Sequence, residues 1–116
     1  MKQENALLDK SLKFAARIVK LNKYLVKEKK ETIISKQIIR SATSIGANAN
    51  EAIYGVSKAD FISKLQIALK ECSESEYWIE LLIESGYYDD NTILRNCVEL
   101  KKILISSINT AKKNNK

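Results

Sequence analysis

The chain has no histidine and no proline, and only three glycines, two cysteines and one tryptophan in 116 residues. Without histidine, the Ser-His-Asp and Cys-His arrangements of nucleophilic catalysis are out of reach. So are His-containing zinc sites and the Glu-x-x-His ligand sets of di-iron bundles. There is no Gly-rich phosphate loop, no cysteine-pair zinc motif and no internal repeat with a 20–50 residue period. No apolar run approaches the roughly 18 residues of a membrane span. The N-terminus lacks the continuous apolar stretch of a signal peptide. Cys72 and Cys97 sit inside apolar helical patterns. They read as small buried hydrophobes in a reducing compartment rather than as a disulfide framework. The expectation is a cytoplasmic protein without metal or cofactor.

The near absence of helix breakers, with Leu, Ile, Lys, Glu and Ala dominant, points to long helices joined by short connections. The length suits one domain, residues 1–116, able to bury about 65% of its unfolded surface. Lys and Arg number 20 against 14 Asp and Glu, a formal net charge of +6. Residues 1–57 hold 11 basic and 5 acidic side chains, and residues 58–116 hold 9 of each. Glu71 to Asp90 carries seven acids and no Lys or Arg, while 91–116 carries six basic residues and one acid. Two basic ends therefore flank an acidic middle.

The apolar spacing predicts four helices, over about 5–27, 32–54, 58–85 and 91–112. In the first, Leu7, Phe14, Ile18, Leu21 and Leu25 form one stripe, and Leu8, Leu12, Ala15, Val19 and Val26 form a second. Two stripes suggest packing on two sides, against another helix of the chain or another subunit. The remaining arc carries Lys10, Lys13, Arg17, Lys20, Lys23 and Lys27. It reads as a solvated face or as a phosphate-contacting stripe. A membrane surface ranks last, because the bundle core accounts for the apolar stripes.

Lys27 to Glu31 reads as a charged connection, and Gly55 as the C-terminal cap of the second helix. Ser57-Lys-Ala-Asp60 resembles a capping box that starts the third. There Phe61, Leu65, Ala68, Cys72, Ser75, Ile79 and Leu82 alternate steps of 4 and 3, a seam of bundle type along a helix about 40 Å long. Gly86 ends it. Asp89-Asp90-Asn91 supplies N-cap chemistry for the fourth helix. Its stripe is Ile93, Cys97, Leu100, Leu104 and Ala111, with Lys101 and Lys102 outward and 112–116 fraying.

Within the second helix, Ile34, Ile38, Ala42, Ile45, Ala49 and Ala52 mark one face, and Arg40, Ser44, Asn48 and Glu51 a neighbouring polar stripe. Gly46, which costs a helix interior about 1 kcal/mol relative to Ala, suggests tight packing or a local break. The favoured reading of the stripe is structural. Ser41 and Ser44 bond back to carbonyls, and Asn48 with Glu51 satisfies buried polar groups. The other reading is a recognition site for RNA or a partner. On the third helix, the Glu71–Glu74 carboxylates could serve acid–base chemistry, but acidic faces are far more often solvated or salt-bridged. Trp78 reads as a core or interface anchor first, with an exposed base-stacking role the second reading.

Gln37, Arg40, Ser41, Ser44, Ile45, Asn48, Glu51 and Ala52 resemble the signature of the 23S rRNA intervening-sequence, or S23, four-helix-bundle family. Ala49 and Asn50 depart from it, where that family favours Ile and Ala. Asp60, Phe61, Lys64, Ala68, Lys70, Glu71, Glu74, Tyr77 and Trp78 look like its second motif. The resemblance spans about Leu7 to Ile108. It implies an all-α, antiparallel up-down four-helix bundle that assembles as a homo-oligomeric, usually pentameric, ring. Related bundles act beside reverse transcriptases in diversity-generating retroelements, which makes such an enzyme, or another protein, a candidate partner. The family-motif and interface candidates are Arg40, Ser41, Ser44, Asn48, Glu51, Phe61, Lys64, Glu71, Glu74 and Trp78.

Two functions stay open. One is a non-catalytic homo-oligomeric scaffold that binds RNA or DNA through Lys10, Lys13, Arg17, Lys20, Lys23 and Lys27, with Arg40 a weaker candidate. The other is a protein-interaction module whose basic first helix docks on an acidic surface, such as Glu71–Asp90 of a neighbouring subunit.

Overall fold

The structure, a computed structural model, describes residues 2–114. The described residues form four helices: α1 Lys2–Lys27, α2 Ile34–Ile53, α3 Lys58–Glu84 and α4 Thr92–Lys113. Contacts between them run antiparallel. Asn22 reaches the Ser35 carbonyl while Ser11 lies beside Gly46, so α1 and α2 oppose each other. Ser41 meets Ser75 while Glu51 meets Lys64, which sets α3 against α2. Lys58 reaches the Asn114 carbonyl, and Lys10 meets Glu99, closing α4 onto α3 and α1. The result is a rod-like four-helix bundle of 51 × 21 × 20 Å.

One apolar cluster runs through it. The first α1 stripe is buried from Leu7 to Leu25, and the α3 seam from Leu65 to Leu82, with Phe61 half-buried at its start. Burial of these stripes, rather than helix propensity, holds such helices in place. The second α1 stripe is different. Leu12 is 70% exposed and Val19 and Val26 are exposed too. Within this chain α1 is therefore packed on one side, and its other apolar arc stays at the surface beside α2. The helix continues through Gly46 without a break. A Cβ there would sit in ordinary contact, 3.4 Å from the Ser11 hydroxyl.

The helix ends are set by side chains more than by the expected residues. Lys30 takes a left-handed φ of 56°. Glu31 then folds over the start of α2. Its carboxylate accepts the backbone N–H groups of Ile33, Ile34 and Ser35 at 3.1, 2.9 and 2.7 Å. The Ser35 hydroxyl donates back to the Glu31 carbonyl at 2.9 Å. A negative charge on three orphan donors is a strong start signal, and α2 begins at Ile34 rather than near Thr32. Gly55 follows α2, but not in the left-handed conformation. A Cβ there would push the Asp60 carboxylate aside and lie a tight 3.1 Å from the Ala52 carbonyl.

Ser57 caps α3, its hydroxyl accepting the Asp60 N–H at 3.0 Å. Gly86, with φ 84°, closes α3 in a Schellman turn. Its N–H donates to the Ile83 carbonyl, and the Tyr87 N–H to that of Leu82. For α4 the capping oxygen comes from Asp90, which accepts the Thr92 N–H at 2.8 Å, and not from Asn91. These bonds with Thr92 hold the Asp90 carboxyl below its ordinary pKa. Lys101 is not outward: it turns to Glu76 of α3 at 2.5 Å. That hydrogen bond raises the Lys101 pKa. The fraying expected over 112–116 falls partly outside the described residues, since α4 continues to Lys113 and 115–116 are not described.

Candidate nucleic-acid interface

The six basic candidates of α1 share one arc, but the fold treats them differently. Lys10 pairs with Glu99 of α4 at 3.2 Å, and Lys13 with Asp9 one turn earlier at 3.1 Å. The Arg17 guanidinium donates to the Asn96 amide oxygen. Lys20, Lys23 and Lys27 are exposed, and among the described residues they have no ion-pair partner. The half of α1 nearer its C-terminus therefore presents uncompensated positive charge. Lys29, Lys30 and Lys36 are exposed just beyond it.

The polar stripe of α2 is engaged inside the chain. Arg40 pairs with Glu71 at 3.3 Å and also with Glu74. Glu74 in turn accepts the Trp78 indole N–H at 2.9 Å. Trp78 packs against the core and meets Tyr77 edge to face, with ring centroids 5.2 Å apart. The Ser41 hydroxyl lies 3.3 Å from the Ile38 carbonyl and 2.8 Å from the Ser75 hydroxyl. Ser44 receives rather than donates, accepting the Asn48 amide at its carbonyl (2.9 Å) and its hydroxyl (3.1 Å). Glu51, expected to satisfy buried groups, is exposed and pairs with Lys64 at 3.0 Å. That contact raises the Lys64 pKa, first through the hydrogen bond. Arg40, Ser41 and Glu51 thus join α2 to α3, and Arg40 has two carboxylates in place of a phosphate.

Two residues beside the basic arc were not singled out in the sequence. Tyr24 follows Lys20 by one turn and lies under the Lys29 ammonium, 5.9 Å from the ring centroid. Tyr88, from the α3–α4 connection, lines a surface cleft together with Tyr24. The i, i+4 spacing of Lys20 and Tyr24 was available to find the first; only the tertiary fold brings in the second. Among the described residues, no group of three or more acidic, cysteine or histidine side chains could hold a metal. Among the described residues no helix is long and apolar enough to cross a membrane.

The comparisons with known proteins agree with this bundle. A crystal structure at 1.70 Å of a protein of unknown function from the S23 ribosomal protein family of Bacteroides thetaiotaomicron VPI-5482 superposes with a TM-score of 0.90. It is 54% identical, covering 92% of this chain and 98% of that one. Among curated proteins none matches. The family model of the 23S rRNA-intervening sequence protein matches residues 3–106. The four helices and the polar stripe that ties α2 to α3 are thus features of a chain that belongs to the 23S rRNA-intervening sequence protein family.

Proposed function

We propose that this protein is a non-catalytic, homo-oligomeric helical scaffold that binds RNA or DNA through the basic face of α1. The observation that carries the reading is the exposure of Lys20, Lys23 and Lys27 on one arc, with no ion-pair partner among the described residues, in a chain of net charge +6. Phosphate contacts need no base-reading module, and binding of this kind is driven by charge and shape. The family's name contains an rRNA, which makes RNA the first probe.

Self-assembly is supported by the surface arc of Leu12, Val19 and Val26. Beside it lies a groove of about 300 Å³ that includes Leu8, Ala15, Gly46 and Ala47. Small residues there let a second helix approach closely. In a ring, the lysine face would repeat and avidity would rise. Docking of α1 on the acidic stretch of a neighbour has less support. Glu71 and Glu74 already face Arg40, and Glu76 faces Lys101.

The test is gel shift with single-stranded RNA at low salt, alongside the 260/280 nm absorbance ratio of the purified protein. Changing Lys20, Lys23 and Lys27 together to Gln should abolish most of the shift while helicity stays unchanged. A clean protein that shifts no RNA would reject the reading.

A further inference from the structure

We propose that the cleft between α1 and the start of α4 is a base-stacking site for single-stranded nucleic acid, resting on the basic-face reading above. The cleft is lined by Arg17, Lys20, Leu21, Tyr24, Tyr88 and Ile93, and holds about 290 Å³. That volume falls just below the roughly 300–1,000 Å³ typical of ligand pockets, enough for one ring rather than a whole ligand. A lysine arc that only keeps a protein soluble has no use for aromatic walls. Here two tyrosines from different parts of the chain line one opening, with Leu21 and Ile93 adding apolar surface and Arg17 and Lys20 adding charge.

Tyr24 is 40% exposed, so its ring is within reach of a ligand. Bases stack on such rings with little dependence on sequence, while the adjoining cations follow the backbone. A duplex keeps its base faces covered, so only an unpaired strand engages both features. The acids nearby give the site a direction. Asp89 and Asp90 follow Tyr88 directly in the chain, and both are exposed. Their charge repels phosphate at that end. The backbone therefore runs along Lys20, Lys23 and Lys27, and a base points into the cleft towards Tyr88.

The experiment is fluorescence anisotropy at low salt with three fluorescein-labelled probes: a twelve-nucleotide oligouridylate, an abasic strand of the same length, and an RNA duplex. Tyr24→Leu or Tyr88→Leu should weaken oligouridylate binding about fivefold or more, on the scale of one lost stacked base. The same variants should leave the abasic strand and the duplex unchanged, and Tyr24→Phe and Tyr88→Phe should bind like the unaltered protein. Leu variants that bind oligouridylate normally, or lose the abasic strand equally, overturn the stacking site. If Lys23→Gln with Lys27→Gln still weakens every probe, the basic-face reading survives that result. If no strand binds at low salt, both fall. The unaltered protein gives a second measure that does not depend on a variant folding. A 5-iodouridine strand should photocross-link to Tyr24 or Tyr88, and cross-links confined to other residues overturn the proposal.

Discussion

The hydroxyls of Ser41 and Ser75 meet at 2.8 Å in the buried seam between α2 and α3. The Ser75 hydroxyl is also 3.0 Å from the Glu71 carbonyl, and that of Ser41 is 3.3 Å from Ile38. One hydroxyl can donate to the other while its partner donates to its own helix. Ser41→Ala or Ser75→Ala should each cost about 1 kcal/mol, because the remaining hydroxyl loses a partner in a dry seam. The double variant should cost less than the sum. Urea unfolding of the four proteins at one fixed concentration measures the coupling; additive effects would show that the pair is not a unit.

Arg40 bridges to Glu71 and Glu74 with its side chain 49% exposed. An ion pair this open contributes little, about 1 kcal/mol or less, and less still at high salt. Arg40→Gln should lower stability by no more than that. Because the guanidinium is held by carboxylates, RNA affinity should change by less than about twofold. Thermal melts and a binding titration on the same sample check both. A large loss of RNA affinity would return Arg40 to the phosphate face.

The three glycines should respond differently to alanine. Gly46→Ala adds helix propensity of up to about 1 kcal/mol with an ordinary contact to Ser11, so the stability of the single-chain bundle, measured at a concentration below assembly, should hold or rise. Gly55→Ala should destabilise slightly, since the new methyl crowds the Ala52 backbone carbonyl at 3.1 Å while the Asp60 carboxylate can swing aside. Gly86→Ala has open space but a φ of 84°, and should cost about 1 kcal/mol through strain alone. Melts of the three variants give the order. If Gly46 lies in a subunit interface, Gly46→Leu should reduce assembly in light scattering.

Cys97 lies 3.8 Å, sulfur to sulfur, from Cys72 in the core. The hydrogen bond with Cys72, followed by burial, pushes the Cys97 thiol far above its ordinary value of 9.0. A group with a raised folded pKa gives stability that is fully present below its unfolded pKa. That stability is lost as pH rises above 9.0, once the unfolded chain can ionise and the folded one cannot. Wild-type stability should therefore fall more steeply than that of Cys97→Ala, by up to about 1.4 kcal/mol per pH unit. Urea midpoints from about pH 7 to about pH 10 test the difference; parallel curves would contradict it.

Much of the bundle was legible because its signals are periodic. The α3 seam repeats 4 and 3 from Phe61 to Leu82, and the α2 motif carries the family resemblance with it. The misses depend on contacts that period cannot show. Glu31 looked like part of a linker because its targets are N–H groups brought to it by the left-handed turn at Lys30. Lys101 looked outward because Glu76 is 25 residues away on another helix. The basic arc looked uniform because the groups that engage Lys10 and Arg17, Glu99 and Asn96, belong to α4. Gly55 reads as a C-terminal cap from its place after the helix, but it is not left-handed, and its close neighbours, Asp60 and the Ala52 carbonyl, are set by the turn into α3.

Charge at Lys20, Lys23 and Lys27 is the central feature of the proposed interface, and the salt dependence of RNA binding tests that charge directly. Log affinity of a twelve-nucleotide single strand should fall linearly with log salt. Replacing the three lysines by Gln should make that slope shallower by about 2, at roughly 0.7 per phosphate contact. Arg40→Gln should leave it unchanged. Equal slopes for the triple variant and the unaltered protein, or no binding by either at low salt, would contradict the account.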